Sequence, residues 1–233
     1  MSINGLGVEW VSRKRLPLPA IGIKIFITIF SVTYKYAMQM FPIKNKPKSI
    51  FVAPTDINFD YDNCIIEVPN LVNSEMAKEL KEYASNSEVS GLHPRQSKDS
   101  KIIANFHTCL IYNHSHKIYE ILNDCWHTHA KKIYNDIVQI EPYEIKRYVE
   151  GDSFGMHYDS CISNELKIAR KLNILIQLSD SDEYEGGDLE IGPYTLSRKL
   201  GTGVIFPAEF YHLVTPITKG VRFSLIGHGW CPI

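Results

Sequence analysis

The chain has 233 residues, 44% hydrophobic and 22% charged, with a formal net charge of -1. That is enough to bury one substantial core, and it lacks the broad basic footprint of a protein that gains affinity by neutralising phosphates, so nucleic acid is not the expected partner. The five cysteines (Cys64, Cys109, Cys125, Cys161, Cys231) are odd in number, scattered and without a C-x-x-C pair, which argues against a disulfide framework and a structural zinc site and fits a reducing, cytoplasmic compartment.

The organisation divides into an N-terminal segment over 1–50, a helical and strand support region over 51–140 and a C-terminal core over 141–233. In the first part Arg13-Lys14-Arg15 precedes an apolar run at 21–32 interrupted by Lys24, the way an anchor or signal segment begins. A spanning helix needs about 20 apolar residues, so the expectation is a helix or strand packed on the domain rather than a membrane anchor. Lys44-Asn45-Lys46-Pro47-Lys48 reads as a basic linker.

Over 73–84, Met76, Ala77, Leu80, Tyr83 and Ala84 repeat at helical spacing behind Asn73 or Ser74, either of which can cap the first turn. A second amphipathic helix is predicted over 117–133, with Ile118, Tyr119, Leu122, Cys125, Trp126 and His129 on one face and His129 a core histidine. His127 and His129 stand about 200° apart on that helix and cannot chelate together, and His114-Ser115-His116 reads as an exposed turn. From 143 onward the period changes to two. Short runs at 143–149, 171–178, 188–191, 203–206, 211–214 and 221–226, separated by Gly, Asp, Ser and Pro, predict a mainly β architecture, a sandwich or barrel with helices packed outside it. Leu172, Ile174, Ile176 and Leu178 fall on one face of their strand. Asn173 and Gln177 fall on the other, where they must reach solvent or meet a polar ligand.

The chemistry is concentrated in this last part. His157-Tyr158-Asp159 is an H-x-D pair, and in an extended chain residues i and i+2 share a face and can grip one ion. The pair alone is weak, since nine His and 26 acidic residues predict about one such pair by chance. His212, 53 residues after Asp159 on a turn leading into a strand, supplies a third ligand. Two His and one carboxylate form the facial triad of non-haem iron, leaving coordination positions open. Ten residues further on, Arg222 and Ser224 share a strand face, and a guanidinium with a hydroxyl suits a buried carboxylate. The Gly186-Gly187 pair reads as a tight turn.

With Arg147-Tyr148 and Gly151 ahead of the H-x-D pair, Tyr184-Glu185-Gly186-Gly187-Asp188-Leu189, Thr215-Pro216 after His212, and Gly220-Val221-Arg222, the chain from about 143 to 230 resembles the 2-oxoglutarate and Fe(II)-dependent dioxygenases. Within them it is similar to the prolyl-4-hydroxylase-like branch that holds the PKHD-type hydroxylases. The resemblance implies a double-stranded β-helix, the jelly-roll, cupin-like barrel, with Fe(2+) on His157, Asp159 and His212. It also implies that Arg222, helped by Ser224 and Tyr148, holds the distal carboxylate of 2-oxoglutarate, that ascorbate keeps the iron reduced, and that the substrate is a protein, peptide or small molecule with peptidyl proline as first candidate. The collagen-type enzymes of animals and plants carry Lys where this chain has Arg222, so collagen-like substrates do not carry over. The rival readings are a non-oxidative cupin-like metal protein, against which Arg222 counts, and an inactive binding module, against which the intact triad counts.

Overall fold

Period-two strands with one face apolar bury that face by stacking into layers, and the observed layers follow the pattern strand by strand. A computed structural model describes residues 49–51, 60–87, 104–111, 116–134, 136–137 and 141–233, all inside one compact unit, Phe41–Ile233. The apolar run 21–32, the linker 44–48 and His114-Ser115 lie outside the described residues. Among the described residues no helix is long and apolar enough to cross a membrane.

In chain order the elements are β1 (Ile50–Phe51), α1 (Tyr61–Cys64), β2 (Ile66–Val68), α2 (Ser74–Asn86), β3 (Ala104–Asn105), β4 (His107–Ile111) and α3 (Lys117–Thr128), followed by a 3-10 turn. The second half is all strand: β5 (Tyr143–Tyr148), β6 (Ser153–His157), β7 (Cys161–Ser163), β8 (Ile168–Gln177), β9 (Tyr184–Gly186), β10 (Leu189–Ile191), β11 (Tyr194–Thr195), β12 (Gly203–Pro207), β13 (His212–Val214), β14 (Ile217–Gly220) and β15 (Arg222–Pro232). The larger sheet runs β1-β7-β8-β15-β5-β4, with β12 also on β8 and β2 beyond it; the smaller runs β11-β10-β13-β6-β3. From β5 on, the chain passes back and forth between these two antiparallel sheets (β5 in the larger, β6 in the smaller, β7 and β8 in the larger, β10 in the smaller, β12 in the larger, β13 in the smaller, β15 in the larger), which is the jelly-roll arrangement.

Two cores result. Between the larger sheet and the helices, Leu172, Ile174, Ile176, Ile145 and Leu225 pack on Leu80 of α2 and on Leu122 and Trp126 of α3. Between the sheets, Tyr148, Leu175, Leu189, Val204, Phe206 and Val214 fill the barrel. Each such aliphatic or aromatic side chain contributes about 1.5–3 kcal/mol when withdrawn from water. Asn73 is the residue that caps α2, its side-chain oxygen accepting from the Met76 amide at 2.8 Å. The second helix stops at Thr128, short of the expected 133, and His129 is its half-buried C-cap rather than a core residue. His116 caps the start of α3. The last strand continues to Pro232, past the expected end at 226, because Gly227 and Gly229 do not break it. They make room, since a Cβ at Gly227 would overlap the Tyr143 ring.

Candidate metal and co-substrate site

His157 ends β6 and His212 begins β13, and the antiparallel register sets these two residues directly opposite each other. Their imidazole centroids are 4.1 Å apart. The chain turns at Tyr158, and the Asp159 amide donates to the Ala208 carbonyl at 2.7 Å, tying the segment that carries the H-x-D pair to the turn ahead of His212. One ligand atom from each of His157, Asp159 and His212 lies within 4.8 Å of the others. All three residues are buried, at 8%, 6% and 4% exposure.

The donor set fits a cation. His157 Nδ1 faces the Gly155 carbonyl at 2.8 Å and His212 Nδ1 faces the Phe210 carbonyl at 3.0 Å. A carbonyl oxygen only accepts, so each Nδ1 carries the ring proton and each Nε2 of a neutral ring presents a lone pair. Those Nε2 atoms point at Asp159, 3.9 Å from Oδ1 for His157 and 3.4 Å from Oδ2 for His212. Burial, reinforced by the neighbouring His212, pushes the His157 imidazole down to about 3, which keeps it a neutral ligand. Burial alone would raise the Asp159 carboxyl, but the contact with His212 and the surrounding imidazoles outweigh it and hold the group well below the usual carboxylate range. Two lone-pair nitrogens and a carboxylate around one point, with Phe154 stacked on His157 at 3.6 Å and Phe206 edge-on to His212 at 5.0 Å, suit a borderline divalent ion such as Fe(II).

The start of β15 holds Arg222. It is 1% exposed, a full charge inside a core, and it makes no ion pair among the described residues. One terminal amine donates to Gln177 Oε1 at 3.0 Å, the other reaches Ser224 Oγ at 3.5 Å, and Nε has no partner. The register explains the grouping: Arg222 lies opposite Tyr148 on β5, and Ser224 opposite Gln177 on β8. The guanidinium sits over the Tyr148 ring at 5.4 Å. Tyr148 is fully buried, and burial raises its phenol far above the ordinary value, keeping it a neutral group. A pocket lined by Arg222, Gln177, Tyr184, Leu189, Arg198 and Val204 opens here. A buried guanidinium with an orphan Nε in such a pocket is what an anionic ligand would satisfy.

Several residues of the site are not obvious in the sequence. Asn173 and Gln177 do not reach solvent, at 0% and 3% exposure. Asn173 Nδ2 donates to Asp159 Oδ2 at 3.0 Å, and Gln177 bridges Arg222 and the Tyr184 hydroxyl. Their inward position on β8 was the available signal. Gly187 is more than a turn residue: a Cβ there would press on the Arg222 side chain. Arg198, stacked 4.3 Å above the Tyr184 ring and 3.5 Å from Asp188, carried no signal at all.

Residues 143–230 match the sequence model of the 2OG-Fe(II) oxygenase superfamily. A PKHD-type hydroxylase of Cupriavidus metallidurans is 33% identical over 96 residues, 37% of this chain and 42% of that protein; the chain thus spans about two fifths of the length of the curated relatives it matches. In fold it is similar to the viral collagen prolyl hydroxylase of Paramecium Bursaria Chlorella virus-1, with a TM-score of 0.58 at 16% identity, covering 72% of this chain and 96% of that one. It is similar also to a Trichoplax adhaerens prolyl hydroxylase in complex with a hypoxia inducible factor peptide fragment, with a TM-score of 0.53 at 15% identity, covering 72% and 83%. The triad, the strand order around it and these likenesses agree: over residues 143–230 the chain is similar to the 2OG-Fe(II) oxygenase superfamily and to the PKHD-type hydroxylases.

Proposed function

We propose that the protein is an Fe(II)- and 2-oxoglutarate-dependent dioxygenase that hydroxylates an unactivated C–H bond, with a peptidyl proline as the first candidate substrate. The observation that carries this reading is the pairing, in one barrel, of a buried His157–Asp159–His212 cluster with a buried Arg222 whose Nε has no partner. Neither a structural metal site nor a packed core needs the second feature. A non-oxidative metal barrel has no use for it either.

His157, Asp159 and His212 would hold the iron, and Arg222, with Ser224 and Tyr148 beside it, would hold the distal carboxylate of 2-oxoglutarate. The chemistry supplied by the bound metal is oxidative decarboxylation of 2-oxoglutarate to succinate and carbon dioxide, coupled to hydroxylation of the substrate; ascorbate serves as the reductant that keeps iron in the ferrous state. The protein's part is positional and electrostatic. The two Nδ1–H groups, anchored on the Gly155 and Phe210 carbonyls, fix the imidazole planes, while Gln177 turns the guanidinium fork toward the pocket. Leu175, Leu189 and Val204 exclude water around it, so that the ion pair with a carboxylate forms in a low dielectric where it is strong. Support for a peptide substrate comes from the fold shared with prolyl hydroxylases, one of them seen with a peptide bound. All five cysteines are unpaired, in keeping with a reducing, cytoplasmic setting.

Anaerobic protein loaded with Fe(II), 2-oxoglutarate and a panel of proline-containing and proline-free peptides, then exposed to oxygen, should give succinate and a peptide heavier by one oxygen atom. His212→Ala should do neither. Succinate formed without oxygen, or at the same rate in His212→Ala, would overturn the reading.

A further inference from the structure

Behind Asp159 the barrel wall carries a second row of polar side chains. Asn173 on β8 and His228 on β15 are directly paired across the sheet and are buried, at 0% and 6% exposure. His228 Nδ1 lies 2.8 Å from Asn173 Oδ1, and Asn173 Nδ2 lies 3.0 Å from Asp159 Oδ2. The direction of this chain of hydrogen bonds follows from its end. A carboxylate only accepts, so the Asn173 amide must present its NH2 to Asp159 and its oxygen to His228, and His228 must donate from Nδ1. Burial, and after it the nearby Arg170 charge, push the His228 imidazole down to about 4, so the ring is neutral, with its one proton on the nitrogen the amide requires. The Asp159 backbone is anchored separately: Arg170 reaches its carbonyl at 3.4 Å, and Arg170 is itself held by Glu141 at 2.6 Å.

We propose that Asn173, held in orientation by His228, is the positioning residue that keeps the Asp159 carboxylate aimed at the metal. The assignment rests on the proposed metal centre. Asp159 lies two residues beyond the end of β6, on a turn, where its side chain has more than one rotamer open to it. The amide engages Oδ2 and leaves Oδ1 with its lone pairs toward His157. An amide alone would not settle this, because a flipped Asn173 would set its oxygen against the carboxylate and repel it. The Nδ1–H of His228 removes that choice, because it can donate to the amide oxygen but not to the amide NH2, and successive bonds in such a chain polarise one another. Partners of metal ligands at this remove typically change metal affinity about 10- to 100-fold when lost.

The test uses the full chain and Co(II), bound in competition with a chromophoric chelator, with the thermal midpoint of the metal-free protein measured alongside. Asn173→Ala and His228→Leu should loosen Co(II) about 10- to 100-fold. His228→Asn should bind like wild type, since an asparagine amide nitrogen can stand where the imidazole Nδ1 stands. A packing role alone would lower the midpoint of Asn173→Ala and His228→Leu and leave Co(II) affinity unchanged, which would overturn the assignment. Loosening in His228→Asn equal to that in His228→Leu would overturn the donor role of His228. Wild-type protein that binds Co(II) no better than His212→Ala would overturn the metal centre itself, and the assignment with it.

Discussion

Arg222 illustrates how much one residue of this barrel is asked to hold. A guanidinium at 1% exposure, with only the neutral partners Gln177 and Ser224, sits in an environment that disfavours a lone charge. On the proposed function, that deficit would be recovered when a carboxylate enters. Removing it leaves that carboxylate unpaired in a poorly solvated pocket, which costs about 2–5 kcal/mol, or roughly 30- to several-thousand-fold in affinity. Arg222→Leu should therefore raise the 2-oxoglutarate concentration needed for succinate formation by that factor while leaving iron content unchanged. Arg222→Lys should fall between, as an ammonium keeps the charge but loses the fork. A titration of Arg222→Leu that overlays the wild type would move the carboxylate site elsewhere. Arg222, like His157, Asp159 and His212, was legible in the sequence because one short motif or one fixed offset carries each. Arg198 was not: its contacts with Tyr184 and Asp188 join loops whose proximity no local pattern encodes.

At the scale of elements, periodicity separated faces well and named partners poorly. The alternation in β8 assigned Leu172, Ile174 and Ile176 to one face and Asn173, Leu175 and Gln177 to the other, and the first set meets the helices while the second lines the barrel. What lies across from Asn173 depends on register, and His228 is 55 residues away in sequence. The end of β15 was misjudged for a similar reason, because a glycine ends a strand or admits a close neighbour, and only packing decides which. Gly227 admits Tyr143, whose hydroxyl accepts from the Trp126 indole at 3.3 Å and whose ring lies 4.7 Å from Tyr119. Held on two sides, that ring cannot retreat. Gly227→Ala should cost about 1–3 kcal/mol by overpacking, lowering the thermal midpoint by about 2–4 °C per kcal/mol for a domain of this size. An unchanged midpoint would mean that the helical layer can lift off the sheet at no cost.

At the scale of the whole molecule, the two parts of the site are held by different strands in different sheets, and stability should report on them separately. The metal cluster joins β6 to β13, both in the smaller sheet; Arg222 and its partners belong to β15, β8 and β5 of the larger one. A ligand that binds only the folded state adds RT ln(1 + [L]/Kd), about 2.7 kcal/mol at a hundredfold excess over Kd, which for a chain of this size is roughly 5–11 °C in thermal midpoint. Co(II) should thus raise the wild-type midpoint, and 2-oxoglutarate added to the Co(II)-loaded protein should raise it again. In Arg222→Leu the first rise should persist and the second should shrink toward zero at the same 2-oxoglutarate concentration. In His212→Ala the first rise should vanish, and the second should weaken with it, because the keto-acid end has lost its metal while Arg222 still offers a partner to the distal carboxylate. Equal Co(II) shifts in wild type and His212→Ala would place the ion outside the triad, and a full second rise in Arg222→Leu would show that the co-substrate is held without the guanidinium.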